Sequence, residues 1–336
     1  MDRRLAALRR HAGHGAALAM TPYLLIKVRW VVGALLGLAP HDSDLTLTEW
    51  VVLNTVTIAM AATGIALALA LARPWGARLP APPLLALAWI GSGLLVPMIP
   101  YMLVSTVVDA LSPATAGPPG EAAGGAGAVM PAWEGALIEV SFAGMGLGLA
   151  VALPLYLRQR WPHMFRGRLA PGVPDPSPAG APGGAANGPR TSRPRRLVVL
   201  AVSAAVVVAL LNIAWVAGDA LGLTQPEAHN LDGRLLAGNT ALWALTGAGG
   251  AWSLAGNRPP RCPVWLPVTL VWVTSGLLVA WNCWRLPVVA LLAADPGSRP
   301  WLEQPGALAA QAGLSIVAGG AMVATLLRFH RYRRRP

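Results

Sequence analysis

Charge is scarce in this sequence: Asp, Glu, Lys and Arg make up 12% of its 336 residues, about half the share of a soluble domain. That scarcity excludes a water-soluble fold of this size. A hydrophobic content of 55% and a mean hydropathy of +0.53 instead fit a chain solvated largely by lipid. Cysteine is nearly absent: Cys262 and Cys283 form no CxxC pair. Near opposite ends of one helix they would lie about 30 Å apart, beyond disulfide reach. Lys27 is the only lysine, so the basic character rests on arginine; with abundant Ala, Gly and Pro this is a compositional habit of high-GC genomes and implies no function. Histidine is missing from every apolar run. His11, His14, His41, His163, His229 and His330 all fall outside, which removes the usual ligands of a haem or dimetal centre. Walker, GxSxG and HExxH motifs are also lacking. No catalytic residue, metal or cofactor is therefore assigned, and an enzyme is not expected.

What is present is a series of apolar runs near 17–38, 50–72, 82–108, 134–157, 197–222, 234–255, 265–292 and 306–327, each about the length of a transmembrane helix. The expectation is an all-α polytopic bundle of about eight spans. The net charge of +12 does not point to nucleic acid, because the arginines cluster between runs and at the termini. One set of segments carries Arg3, Arg4, Arg9, Arg10, Arg73, Arg78, the eight arginines of 158–196, Arg258, Arg261 and the tail after Arg328. The alternate set carries mainly carboxylates, such as Asp42, Asp44, Glu121, Glu227 and Asp232. The positive-inside rule then places both termini in the cytoplasm of a multi-pass protein of the cell membrane. Lys27 and Arg29 interrupt the first run, so a cleavable signal peptide is not expected.

The halves of the chain match. Lys27-Val-Arg-Trp30-Val-Val-Gly33 followed by Gly37 pairs with Asn212-Ile-Ala-Trp215-Val-Ala-Gly218 followed by Gly222. Asn54-Thr55 pairs with Asn239-Thr240, Arg73-Pro74 with Arg258-Pro259, and Trp89-Ile-Gly-Ser92 with Trp272-Val-Thr-Ser275. These agreements predict two parallel four-helix repeats, 17–157 and 197–327. A basic N-terminus (1–16), a flexible Arg/Pro/Gly-rich linker (158–196) and a basic tail (328–336) flank them. Arginines of these segments are expected on anionic head groups at the cytoplasmic face.

The opening pattern Tyr23-x-x-x-Lys27-x-x-Trp30-x-x-Gly33-x-x-x-Gly37 resembles that of a group of uncharacterised multi-spanning membrane proteins from high-GC Gram-positive bacteria. The resemblance covers one helix; it implies the membrane class and no particular activity.

Candidate functional residues are those that cost most inside a bilayer. Lys27 heads them, because a lysine at a helix centre costs about 2.5 to 3.5 kcal/mol on insertion scales. Its expected setting is a polar cavity at the interface of the halves, lined with Trp30, Asn212, Trp215, Trp89, Ser92, Trp272 and Ser275; bonding to hydroxyls such as Thr63 or Ser92 is the plainer alternative. Asp109, Glu139 and Asp219 are candidate ionisable groups near the outer boundary. Gly33, Gly37, Gly218 and Gly222 are expected to pack helices closely. Pro97 and Pro100 should break the third span, while Asn282, Arg285 and Pro287 disturb the seventh. Two functions fit these features: a transporter of a small solute or lipid, or a non-catalytic scaffold that binds partner helices or a second copy.

Overall fold

In a computed structural model of the chain, the described residues are 3–38, 46–111, 131–165, 167–169, 193–219, 221–223, 230–256, 262–283, 285–286 and 304–333. Among them the structure is helical, with one isolated bridge between Arg168 and Pro263. The chain divides into two compact units, Met1–Arg160 and Trp161–Pro336.

The first unit contains α1 (Arg3–Leu35), α2 (Leu47–Ala72), a 3-10 turn (Pro74–Arg78), α3 (Ala81–Leu95), α4 (Met98–Leu111) and α5 (Ala132–Arg160). Local chemistry sets the ends. Thr46 and Glu49 form a capping box at the start of α2, each side chain meeting the other's backbone N–H. Pro97 has no N–H to donate, so the third span breaks after Leu95 and resumes at Met98. The break expected at Pro97 is thus present. α1 packs along both α2 and α5, and the α3–α4 pair lies against α5.

The second unit contains the short α6 (Pro162–Phe165), then α7 (Arg193–Val216), α8 (Leu231–Gly256), α9 (Trp265–Cys283) and α10 (Pro305–Arg333). Here α7 packs on α8 and α10, and α9 packs on the same two helices. Arg285 lies just past α9; Pro287 lies outside the described residues.

Seven stretches are long and apolar enough to cross a bilayer, with α3 and α4 counted as one span, Ala81–Val108. The eighth helix, α8, has 26 residues, about 39 Å of length. It is less apolar because Asp232, Arg234, Asn239 and Thr240 sit near its start. The surfaces agree with a lipid setting. Leu25, Val28, Val32, Val52, Leu53, Val56 and Met60 face outward in mid-helix, while Asn54, Ser92, Glu134, Ser141, Asn212 and Ser275 are buried. Water would reverse that pattern; hydrocarbon rewards it.

Close packing rests on small residues, though not those the sequence singled out. A Cβ on Gly148 would come 2.4 Å from Ala16 Cβ, and one on Gly144 would come 2.5 Å from Ala19 Cβ. This Gly-x-x-x-Gly edge of α5 brings its backbone onto α1. In the second unit, Gly247 and Gly250 of α8 meet Thr274 and Val271 of α9 in the same way. Gly37 and Gly218 instead end helices. Gly37 has φ 67° and Gly218 φ 94°. Leu38 N–H reaches Gly33 O and Gly37 N–H reaches Ala34 O; Asp219 N–H and Gly218 N–H reach Ala214 O and Trp215 O likewise. Both are Schellman caps, which need a left-handed residue at that position. The packing role expected of Gly37 and Gly218 is corrected accordingly. Gly33 lies within α1, and Gly222, in a turn with φ 76°, approaches Ala307 at the start of α10.

Candidate functional site

A polar cluster within the first unit forms where α1 ends and α2 and α5 begin. Lys27 lies eight residues before Leu35, the last residue of α1, about 12 Å along the helix axis. The sequence placed this end near residue 38, so Lys27 lies about three residues closer to it than expected. Its Nζ donates to Asn54 Oδ1 of α2 at 3.0 Å, while Asn54 Nδ2 donates to Trp50 O. The partner is therefore a neutral amide; Thr63 donates to Ala59 O and Ser92 to Trp89 O, each within its own helix. The ammonium also sits 4.0 Å from the centre of the Trp30 ring and 5.7 Å from that of Tyr23. Trp30 in turn stacks on Trp50, ring centres 5.9 Å apart.

Glu134, in the first turn of α5, is the residue the sequence reading missed. It is 1% exposed, and its carboxylate accepts from Arg29 and from Trp30 Nε1, the latter at 2.9 Å. Arg29 also lies over the ring of the exposed Trp133, an arrangement suited to the edge of the hydrocarbon layer. Proximity in sequence gave no sign of this, since Arg29 and Glu134 are 105 residues apart. The signal available was an acidic residue beside an interfacial tryptophan in the first turn of a span.

Arg29 takes the Glu134 carboxylate, while Lys27 bonds to a neutral amide and makes no ion pair among the described residues. An ammonium holds three protons, and Asn54 Oδ1 takes one. Such a half-buried cation with aromatic walls can receive the oxygen of an anion through a charge-assisted hydrogen bond.

The other candidates are placed separately. Ser92 and Ser275 both donate to the tryptophan carbonyl three residues earlier, Trp89 O and Trp272 O. Asn212 is buried and donates to Val208 O. Trp215 Nε1 donates to Leu221 O at 2.8 Å, securing the turn beyond α7. Of the expected cavity set, Lys27 and Trp30 come together; Asn212 and Trp215 serve their own helix and turn within the second unit. Among the carboxylates, Glu139 is exposed on α5, and Asp109 lies near the end of α4. Asp219 is exposed and accepts from Leu221 N–H, a local turn contact.

The fold and this cluster define a polytopic α-helical membrane protein. Comparison with protein-family models, with curated proteins and with solved structures returns no match to the chain.

Proposed function

We propose that the protein binds a small anion, or the anionic head group of a lipid, at the Lys27 cluster and carries it across the membrane. The Lys27 ammonium beside Trp30 and Asn54, with no ion pair among the described residues, is the observation that supports this reading. A half-buried ammonium bonded to a neutral amide keeps protons to offer a ligand of opposite sign.

The proposal includes a tandem duplication with both termini cytoplasmic. It is supported by the matched motifs, by the recurrence of the Trp89–Ser92 bond at Trp272–Ser275, and by the first long helix of each unit packing on the next and the last. Arginines of 1–16 and 158–196 other than Arg9 and Arg160, which bond to carbonyls of the first unit, would then rest on anionic head groups.

Proteoliposomes distinguish the two anion sources. One batch is loaded with inorganic phosphate and its efflux followed; another contains fluorescent phosphatidylglycerol, whose movement between leaflets is read by dithionite quenching. Either flux, present with the full chain and lost in Lys27→Met, supports transport. Absence of both from monodisperse protein returns the function to a scaffold. Orientation is read separately in a Cys262→Ser, Cys283→Ser background carrying Ala179→Cys. An impermeant thiol reagent added to intact cells should leave that cysteine unlabelled, and labelling would reverse the topology.

A further inference from the structure

Among the described residues the buried polar side chains of the second unit are neutral, and several lack partners. Asn239, on α8, is 7% exposed, yet neither its Nδ2 nor its Oδ1 has a hydrogen-bond partner. One turn further, on the same side of α8, the buried Nε1 of Trp243 is also unpaired. On α10, Gln311 is 7% exposed and its Oε1 is unpaired.

The register of the helices places Asn239 between the other two, with Trp243 a turn to one side and Gln311 a turn to the other. Gly247 of α8 meets Thr274 of α9, and Gly250 meets Val271, so the two helices run antiparallel in step. Eight residues back from Gly247 is Asn239, and eight forward from Thr274 is Asn282, a third buried carboxamide. Gly319 of α10 lies against Leu278 of α9. Four residues back along α10 is the buried Ser315, level with Asn282, and one turn beyond it is Gln311. Three neighbouring helices thus contribute amide and hydroxyl groups to one layer inside the unit. Asn282 Nδ2 donates one proton to Leu278 O of its own helix, and Asn239 Oδ1 still has no partner.

Lipid offers nothing to such atoms, and a buried polar group without a partner in hydrocarbon is strongly disfavoured. The unpaired set contains donors, Asn239 Nδ2 and Trp243 Nε1, and acceptors, Asn239 Oδ1 and Gln311 Oε1. The buried polar side chains here carry no charge to pair with a charged ligand. The complement is a group that donates and accepts at once. We propose that the layer formed by Asn239, Asn282 and Ser315, with Trp243 a turn to one side and Gln311 a turn to the other, is a binding site for a neutral hydroxyl, supplied either by internal water or by a small hydroxylic molecule. The site is independent of the Lys27 cluster and stands whether or not that cluster carries an anion.

The full chain in detergent is exposed to X-ray radiolysis in 18O-enriched water, and hydroxyl labelling of Trp243 is measured by mass spectrometry. Native mass spectra of the same preparation are searched for a bound neutral adduct. Labelling of Trp243 that is lost in Asn239→Leu identifies water as the ligand. An unlabelled Trp243 with an adduct lost in Asn239→Leu identifies a hydroxylic molecule. Gln311→Met, which preserves side-chain length, is the second variant should Asn239→Leu fail to fold. Trp243 unlabelled and no adduct in the wild type would overturn the site, because the carboxamides would then satisfy one another. Equal labelling or equal adduct in wild type and variants would overturn it too.

Discussion

Gly148→Ala adds one methyl group at the tightest point between α1 and α5. The new Cβ would lie 2.4 Å from Ala16 Cβ, 2.8 Å from Ala12 O and 3.1 Å from Ala16 Cα. Comfortable carbon contacts begin near 3.5 Å, so the helices must separate by about 1 Å. Ala16 offers no flexible side chain to move aside. Overpacking of this kind costs about 1–3 kcal/mol, and the upper part of that range is expected because backbone must shift. The gain in helix propensity from replacing glycine, roughly 1 kcal/mol at most, offsets only part of it. Gly15→Ala is the control, since its Cβ meets nothing within 4 Å and it sits on the exposed side of α1. Thermal unfolding of the detergent-solubilised protein, followed by the loss of its monodisperse chromatographic peak, should show Gly148→Ala melting lower than wild type and Gly15→Ala equal or higher. An unchanged melting temperature in Gly148→Ala would refute the packing argument.

Gly76→Ala should be more damaging, because its Cβ would come 1.8 Å from Ala70 O, and Gly76 O also receives Tyr156 Oη and Arg160. Folded yield should fall sharply, whereas Gly256→Ala, with open space around it, leaves yield unchanged. Glu134→Leu removes the acceptor of Trp30 Nε1 and Arg29, while Glu134→Gln keeps an acceptor oxygen for the indole. Leucine should therefore be the less stable of the two variants by about 1–3 kcal/mol, measured by thermal or denaturant unfolding in the same detergent; equal stability would show that Glu134 contributes nothing through these bonds.

The membrane class and the succession of long helices follow from the sequence alone, because the hydropathy of a 20-residue run is a local sum that needs no knowledge of neighbours. The interruption at Pro97 is legible for the same reason: a missing N–H acts on its own helix. The exposure of Lys27 to scrutiny was local too, as a lone lysine inside an apolar run. Which residue answers it was not. Asn54 and Glu134 reach the α1 face from two other helices, and their arrival depends on register, which small residues such as Gly144 and Gly148 set by letting backbones touch. Gly37 and Gly218 illustrate the limit from the other side. Their spacing fits a packing stripe, but a glycine's φ can take either sign, and only the end of the helix selects the left-handed one. Asn239 is polar in any reading of the sequence, yet that its amide is buried without a partner is a property of three helices meeting at one level, which only the tertiary structure decides.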